Sequence, residues 1–169
     1  MPVIASALLL IFPVAMSFAA ANDLFTMKIP NKISLALIAA FALAALYVQL
    51  PLETALLHLA IGVAALAAGF VMFSFRLLGG GDAKLMAAGA LWMGPEHAIL
   101  YIAYVTIFGG LLSAAILAYR KYVPVSAEAL PPWAVKLHVQ GTGIPYGIAI
   151  AASGLVMYPS TIWYHALLG

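Results

Sequence analysis

The chain has 169 residues, 66% of them hydrophobic and 7% charged, with a formal net charge of +2 and a mean hydropathy of +1.13. That balance excludes an ordinary soluble domain, and so small a charge without a Lys/Arg cluster argues against nucleic-acid binding. The absence of cysteine removes disulfides, thiolate metal sites and thiol nucleophiles.

The apolar runs are continuous and rich in Ala and Leu, without the alternating polarity of a transmembrane barrel strand, so they predict an all-α, polytopic integral membrane protein. In chain order, Pro, Gly and charged punctuation divides it into about six segments. The first covers about residues 2–21, with Pro13 as an expected kink. It has no basic region ahead of it, so it reads as a retained helix and not as a cleaved signal. The second, about 32–50, stops at Pro51, and the third, about 53–75, ends at Arg76. A short fourth segment, about 83–93, follows Gly79-Gly80-Gly81 and ends at Gly94-Pro95. The fifth covers about 96–119 and stops at Arg120-Lys121; the sixth covers about 143–167. A span needs about 20 residues, so the fourth is short. Small residues within spans, such as Gly62 and Gly69 or Gly109 and Gly110, predict close helix contact.

Every Lys and Arg falls in an alternate connection: Lys28 and Lys32, then Arg76 and Lys84, then Arg120, Lys121 and Lys136. By the positive-inside rule these connections face the cytoplasm and both termini face outward. The whole of 1–169 reads as one transmembrane domain, with 120–142 as a cytoplasmic or interfacial loop. That loop carries Pro124, Pro131, Pro132 and Trp133, the last suited to anchoring at the headgroups.

Only two aspartates occur, Asp23 and Asp82, and the charge alternation places both on the cytoplasmic side. A carboxylate at a membrane border is costly unless hydrated, neutralised or paired, so each calls for an explanation. Close together, two carboxyls share a proton, which makes one a base and the other an acid. Such a pair can deprotonate water for attack on an amide while protonating the carbonyl oxygen or the leaving amine. The glycines before Asp82 leave room for a peptide and permit unusual backbone angles; their plainer reading is a helix break. Lys28 and Lys84 either act on the carboxylates and acidic substrate residues or serve orientation and snorkelling. Asp23 alone reads equally as a cap or a solvated loop residue. Pro30, ahead of Asn31, suits the start of the second helix. His58, His97, His138 and His165 are too scattered for a metal site, and no cofactor is implied.

The flanking residues add a resemblance. Gly79-Gly80-Gly81-Asp82-Ala83-Lys84-Leu85 resembles the GxGDxKL motif of the prepilin peptidases, the type IV leader peptidases among the membrane aspartic proteases. Asp23-Leu24-Phe25-Thr26-Met27-Lys28-Ile29-Pro30-Asn31 resembles that family's first motif, and Gly143-Ile144-Pro145-Tyr146-Gly147 resembles its late G-x-P-[YF]-G element. The resemblance runs over nearly the whole chain and implies a catalytic pair at Asp23 and Asp82. Gly79, Gly80, Gly81, Lys84, Lys28, Pro30, Asn31 and Pro145 would support it.

It implies cleavage of the short basic leader of prepilins or pseudopilins at the cytoplasmic face of a bacterial inner membrane. The lipid bilayer and the pilus assembly machinery are then expected partners. Bifunctional members carry a domain with paired CxxC motifs and also methylate the new terminus. Without cysteine, this chain resembles the short form of Flp, or tight-adherence, systems, and no methylation is expected. Presenilin-like proteases place Tyr before their first aspartate, whereas Asn22 stands here. Two other classes remain: a proton-coupled transporter using the same carboxylates, which would hold them near the bilayer midplane, and an inert scaffold of pilus assembly.

Overall fold

The apolar runs fold as helices, and among the described residues no strand forms. The computed structural model describes residues 3–123, 130–139, 141 and 143–168. In chain order the helices are α1 (Val3–Thr26), α2 (Asn31–Tyr47), α3 (Leu52–Ser74), α4 (Gly80–Tyr122), α5 (Pro132–His138), α6 (Tyr146–Met157) and α7 (Ile162–Leu168), with a 3-10 turn at Tyr158–Ser160. Three of them are long and apolar enough to cross a membrane: α1 over Ala5–Thr26, α3, and α4. α2 is apolar but shorter.

α1 is helical straight through Pro13 and extends past the expected boundary near residue 21. Asn22 and Asp23 therefore stand inside its last turn, not in a connection. Polar residues favour the end of an apolar helix by pattern alone, but here another helix supplies Asp23 with a partner. The helix closes where Met27, in the left-handed region at φ 56°, gives its N–H to Asp23 O at 2.8 Å.

α4 holds the expected fourth and fifth segments as two helical arms, parted at Gly94 (φ 67°, ψ −174°) where the sequence placed the break. That φ suits glycine. Pro95 has no N–H, so the carbonyl four residues earlier, on Leu91, loses its helical partner. In a membrane such a carbonyl must be satisfied from elsewhere. His58 Nδ1, buried on α3, meets Leu91 O at 2.8 Å, and the ring fills the space beside Gly94 where a side chain would stand. Trp163 Nε1 on α7 donates to the next carbonyl, Trp92 O, at 2.7 Å. The buried histidine is thus a backbone partner at the bend.

Around it lies an aromatic core of Phe12, Phe41, Trp92, Tyr158 and Trp163, in which Trp92 and Trp163 meet edge-on at 5.3 Å between centroids. Trp92 Nε1 donates to Leu37 O at 3.0 Å and Tyr158 Oη to Leu9 O at 3.0 Å, so these rings also fasten α2 and α1. Tyr101 is the exception. Its hydroxyl is buried against Gly89 without a hydrogen-bond partner. An unmatched buried hydroxyl costs about 1–3 kcal/mol. Tyr101→Phe is therefore expected to raise stability by about 1 kcal/mol, read as a higher thermal midpoint in detergent; a lower midpoint would contradict it.

The small residues act as expected at three of four positions. A Cβ on Gly62 would meet Leu91 Cβ at 3.1 Å, one on Gly69 would meet Ala83 Cβ at 2.9 Å, and one on Gly109 would meet the Tyr146 ring at 2.7 Å. Gly110 faces open space.

The expected last segment, 143–167, is not one helix. Pro159 breaks it in the 3-10 turn between α6 and α7, since its ring and missing N–H do not fit a helix interior. α6, at 12 residues, rises only about 18 Å. In the 120–142 connection, Pro124 lies outside the described residues. Its later part forms α5 against the end of α1: Trp133 meets Phe25 edge-on at 6.4 Å, and Lys136 Nζ donates to Thr26 O at 3.0 Å. A cation on the last carbonyls of a helix suits the negative end of its dipole. Arg120 Nε holds the other side of α5 through Leu137 O at 2.7 Å.

Candidate active site

Asp23 ends α1 and Asp82 begins α4, so two helix termini deliver the aspartates to one place. They line the same cavity of about 670 Å³, together with Gly79, Arg76, Gly143 and Tyr146. A second hollow of about 510 Å³ also contains both, flanked by Lys28, Pro30, Asn31 and the three glycines.

Asp23 is buried, and its Oδ2 accepts the backbone N–H of Gly147 at 2.8 Å. Pro145, itself buried, caps α6, and Gly147 follows in the first turn, where backbone N–H groups lack helical partners. A carboxylate there also meets the positive end of the helix dipole. Asp82 is held differently. Its Oδ1 is buried with no hydrogen-bond partner, while Oδ2 lies against the backbone at Gly79. One carboxyl is thus fixed by a donor, and the other keeps an acceptor without a protein partner.

The glycine run serves close approach. Neither Gly79 (φ −71°) nor its successors, which open α4, take the unusual angles that glycine permits. A Cβ on Gly79 would sit 2.6 Å from Asp82 Oδ2, and one on Gly81 would sit 3.1 Å from Ile29 Cβ. On Gly80 it would reach only ordinary contact with Phe73, at 3.5 Å. Gly79→Ala is therefore expected to cut activity at least about tenfold by turning the Asp82 carboxyl, a loss of about 1.4 kcal/mol, while Gly80→Ala keeps most of it. Equal losses of activity in the two variants would refute this division.

Lys84 Nζ donates to Asn31 Oδ1 at 3.0 Å, tying α4 to the start of α2, so its partner is an amide and neither aspartate. Lys28 borders the smaller hollow. Pro30 caps α2.

Three residues at the site were not among the expected site residues: Gly147, Ile29 and Arg76. Ile29 wedges between Gly81 and Gly147, 2.9 Å from where a Cβ on Gly147 would stand, and so spaces α4 from α6. Arg76, at φ 59°, puts a cation on the larger cavity. Gly147 belongs to the quoted Gly143–Gly147 stretch, whose second glycine after a helix-opening proline was the available signal. No group of three or more metal-ligating side chains occurs among the described residues.

A model of the type IV leader peptidase family matches residues 10–114, which take in both aspartates and most of the helices that carry them. The chain belongs to the type IV leader peptidase family. It is accordingly a protease and, with its long apolar helices, a multi-pass membrane protein. No curated protein and no solved structure matches the chain. The peptidase's α6, which supplies the Gly147 donor, lies beyond the matched residues.

Proposed function

We propose that this family member is an aspartic endopeptidase that removes the short basic leader of type IV prepilins, with Flp-like pilins as its substrates. The observation that carries the reading is the meeting of Asp23 and Asp82 in one cavity. A water between the carboxyls loses a proton to the ionised one as its oxygen attacks the scissile carbonyl carbon. The protonated one gives its proton to the carbonyl oxygen. Collapse of the tetrahedral intermediate breaks the C–N bond, and a proton passes to the leaving amine. The carboxyl that took the water's proton supplies this one, the other takes a proton back from a hydroxyl of the diol as the acid forms, and the starting state returns with no cofactor.

The topology proposed with it has six spans: α1, α2, α3, the two arms of α4, and the α6–α7 stretch. Arg76 lines the aspartate cavity, and Lys28 and Lys84 lie close by. By the positive-inside rule that end faces the cytoplasm and the termini face outward. Both carboxyls stand at helix ends, which favours a border site over the midplane site of a transporter. Co-expression with a leader-bearing precursor tests the reading. The expected result is a shortened product with a new amino terminus at the leader junction. An uncut precursor alongside aspartate-dependent proton flux into vesicles would overturn it.

A further inference from the structure

A groove of about 380 Å³ runs from the candidate active site along the membrane face. Asn31 borders both this groove and the smaller aspartate hollow, and Lys84, bonded to Asn31, stands at the same border. The groove's walls are Leu35 and Ile38 of α2 and Leu59 and Val63 of α3; its floor is Ala87, Ala88 and Leu91 of α4, with Gly62. α2 and α3 both pack on α4 but hardly on each other, which leaves the groove open sideways.

The spacing is that of a helix seat. Lys84, Ala87, Ala88 and Leu91 form one stripe of α4, and Leu59, Gly62, Val63 and Leu66 form the facing stripe of α3, both at the i, i+3, i+4, i+7 period of a helix face. The floor residues are small, which lets another helix approach closely. The stripes are about 10 Å long, or two turns. One polar group interrupts this apolar lining. Ser34, 5% exposed, lines the groove one turn beyond Asn31, and its Oγ has no hydrogen-bond partner. A lipid acyl chain gives such a hydroxyl nothing. The first turn of an entering helix brings N–H groups that lack partners of their own.

We propose that this groove seats the first two turns of the substrate's apolar helix, immediately after the bond to be cut, with Ser34 Oγ accepting one of its free N–H groups. The inference rests on the leader-peptidase reading. It deepens that reading by naming where the part of the substrate that stays in the membrane binds. An extended peptide crossing the aspartate pair passes the Lys84–Asn31 bridge and becomes helical as it enters the groove.

The chain has no cysteine, so single cysteines report from one place each. In an Asp82→Asn background, Ile38→Cys and Val63→Cys sit on the two walls, and Leu111→Cys, an exposed position on the second arm of α4, is the reference. The probe is a membrane-inserted peptide with a basic leader, a glycine and an apolar helix of about 20 residues. It carries one cysteine at each of the first positions after the glycine in turn. With a short bifunctional thiol reagent, both wall cysteines are expected to crosslink at least tenfold more than Leu111→Cys. Maxima are expected every three to four probe positions. A flat profile at the level of Leu111→Cys overturns the groove proposal, even if the unaltered chain cuts the peptide. Periodic crosslinking with no cutting by the unaltered chain keeps the groove and overturns the peptidase reading.

Discussion

Asp82→Asn and Asp23→Asn are each expected to lower leader removal at least about a thousandfold, within the range attributable to positioned acid–base groups. The structure makes both clean substitutions. Asn matches Asp in shape, so neither leaves a hole. In Asp23→Asn the new amide keeps an oxygen able to accept the Gly147 N–H that now lies 2.8 Å from Asp23 Oδ2. Asp82 loses no bond at Oδ1, which has none. The architecture therefore survives, and the assay reads the loss of an exchangeable proton. Precursor processing should be followed alongside thermal unfolding in detergent. Either variant retaining more than a tenth of the wild-type rate, with unfolding unchanged, would remove its aspartate from the chemistry. Crosslinking of the same variants to an uncut precursor should persist, because their defect lies in bond cleavage and not in binding.

Gly147→Ala is expected to lower kcat/KM by about tenfold to a hundredfold without unfolding the protein. Its added Cβ would stand 2.8 Å from Asp23 Oδ2, 3.0 Å from Asp23 Cβ and 2.9 Å from Ile29 Cδ1. The carboxylate lies on one side and the wedge between α4 and α6 on the other, so the carboxylate must move away from its donor. A hydrogen bond to a charged group contributes about 1.5–3 kcal/mol, and each 1.36 kcal/mol on the barrier is tenfold in rate. The effect belongs in kcat, with KM little altered, because the substitution displaces a reacting group. A rise in KM alone would mean that Gly147 shapes substrate binding and does not hold Asp23.

Much of this site was legible from residue types. Continuous apolar runs announced helices, and Gly94-Pro95 announced the bend, because each acts within one or two turns of its own position. The pairing of Asp23 with Asp82 followed from charge alternation and motif order, which track the chain's crossings of the membrane. What stayed hidden depends on contacts between distant positions. Asp23 was expected in a connection, but partners elsewhere let α1 continue past it. The glycines before Asp82 were read for room beside a peptide and for backbone freedom, whereas Gly79 and Gly81 are crowded from within the fold, by Asp82 Oδ2 and Ile29. The last segment read as one apolar helix because composition does not weigh a single Pro159 against its neighbours. His58 resembled a stray histidine until the carbonyl freed by Pro95 was located beside it.

The hydrogen bond from Gly147 to Asp23 joins residues 124 positions apart, and that separation sets an order in time. Synthesis proceeds from the amino terminus at about 5–20 residues per second. A nascent chain that has already inserted Asp23 and Asp82 waits several seconds for the helix that holds the first of them. Over that interval both acids are present but their geometry is incomplete. Competence to cut is expected to arrive in one late step, as α6 docks, so a ribosome stalled before Gly147 leaves an inserted but inert intermediate.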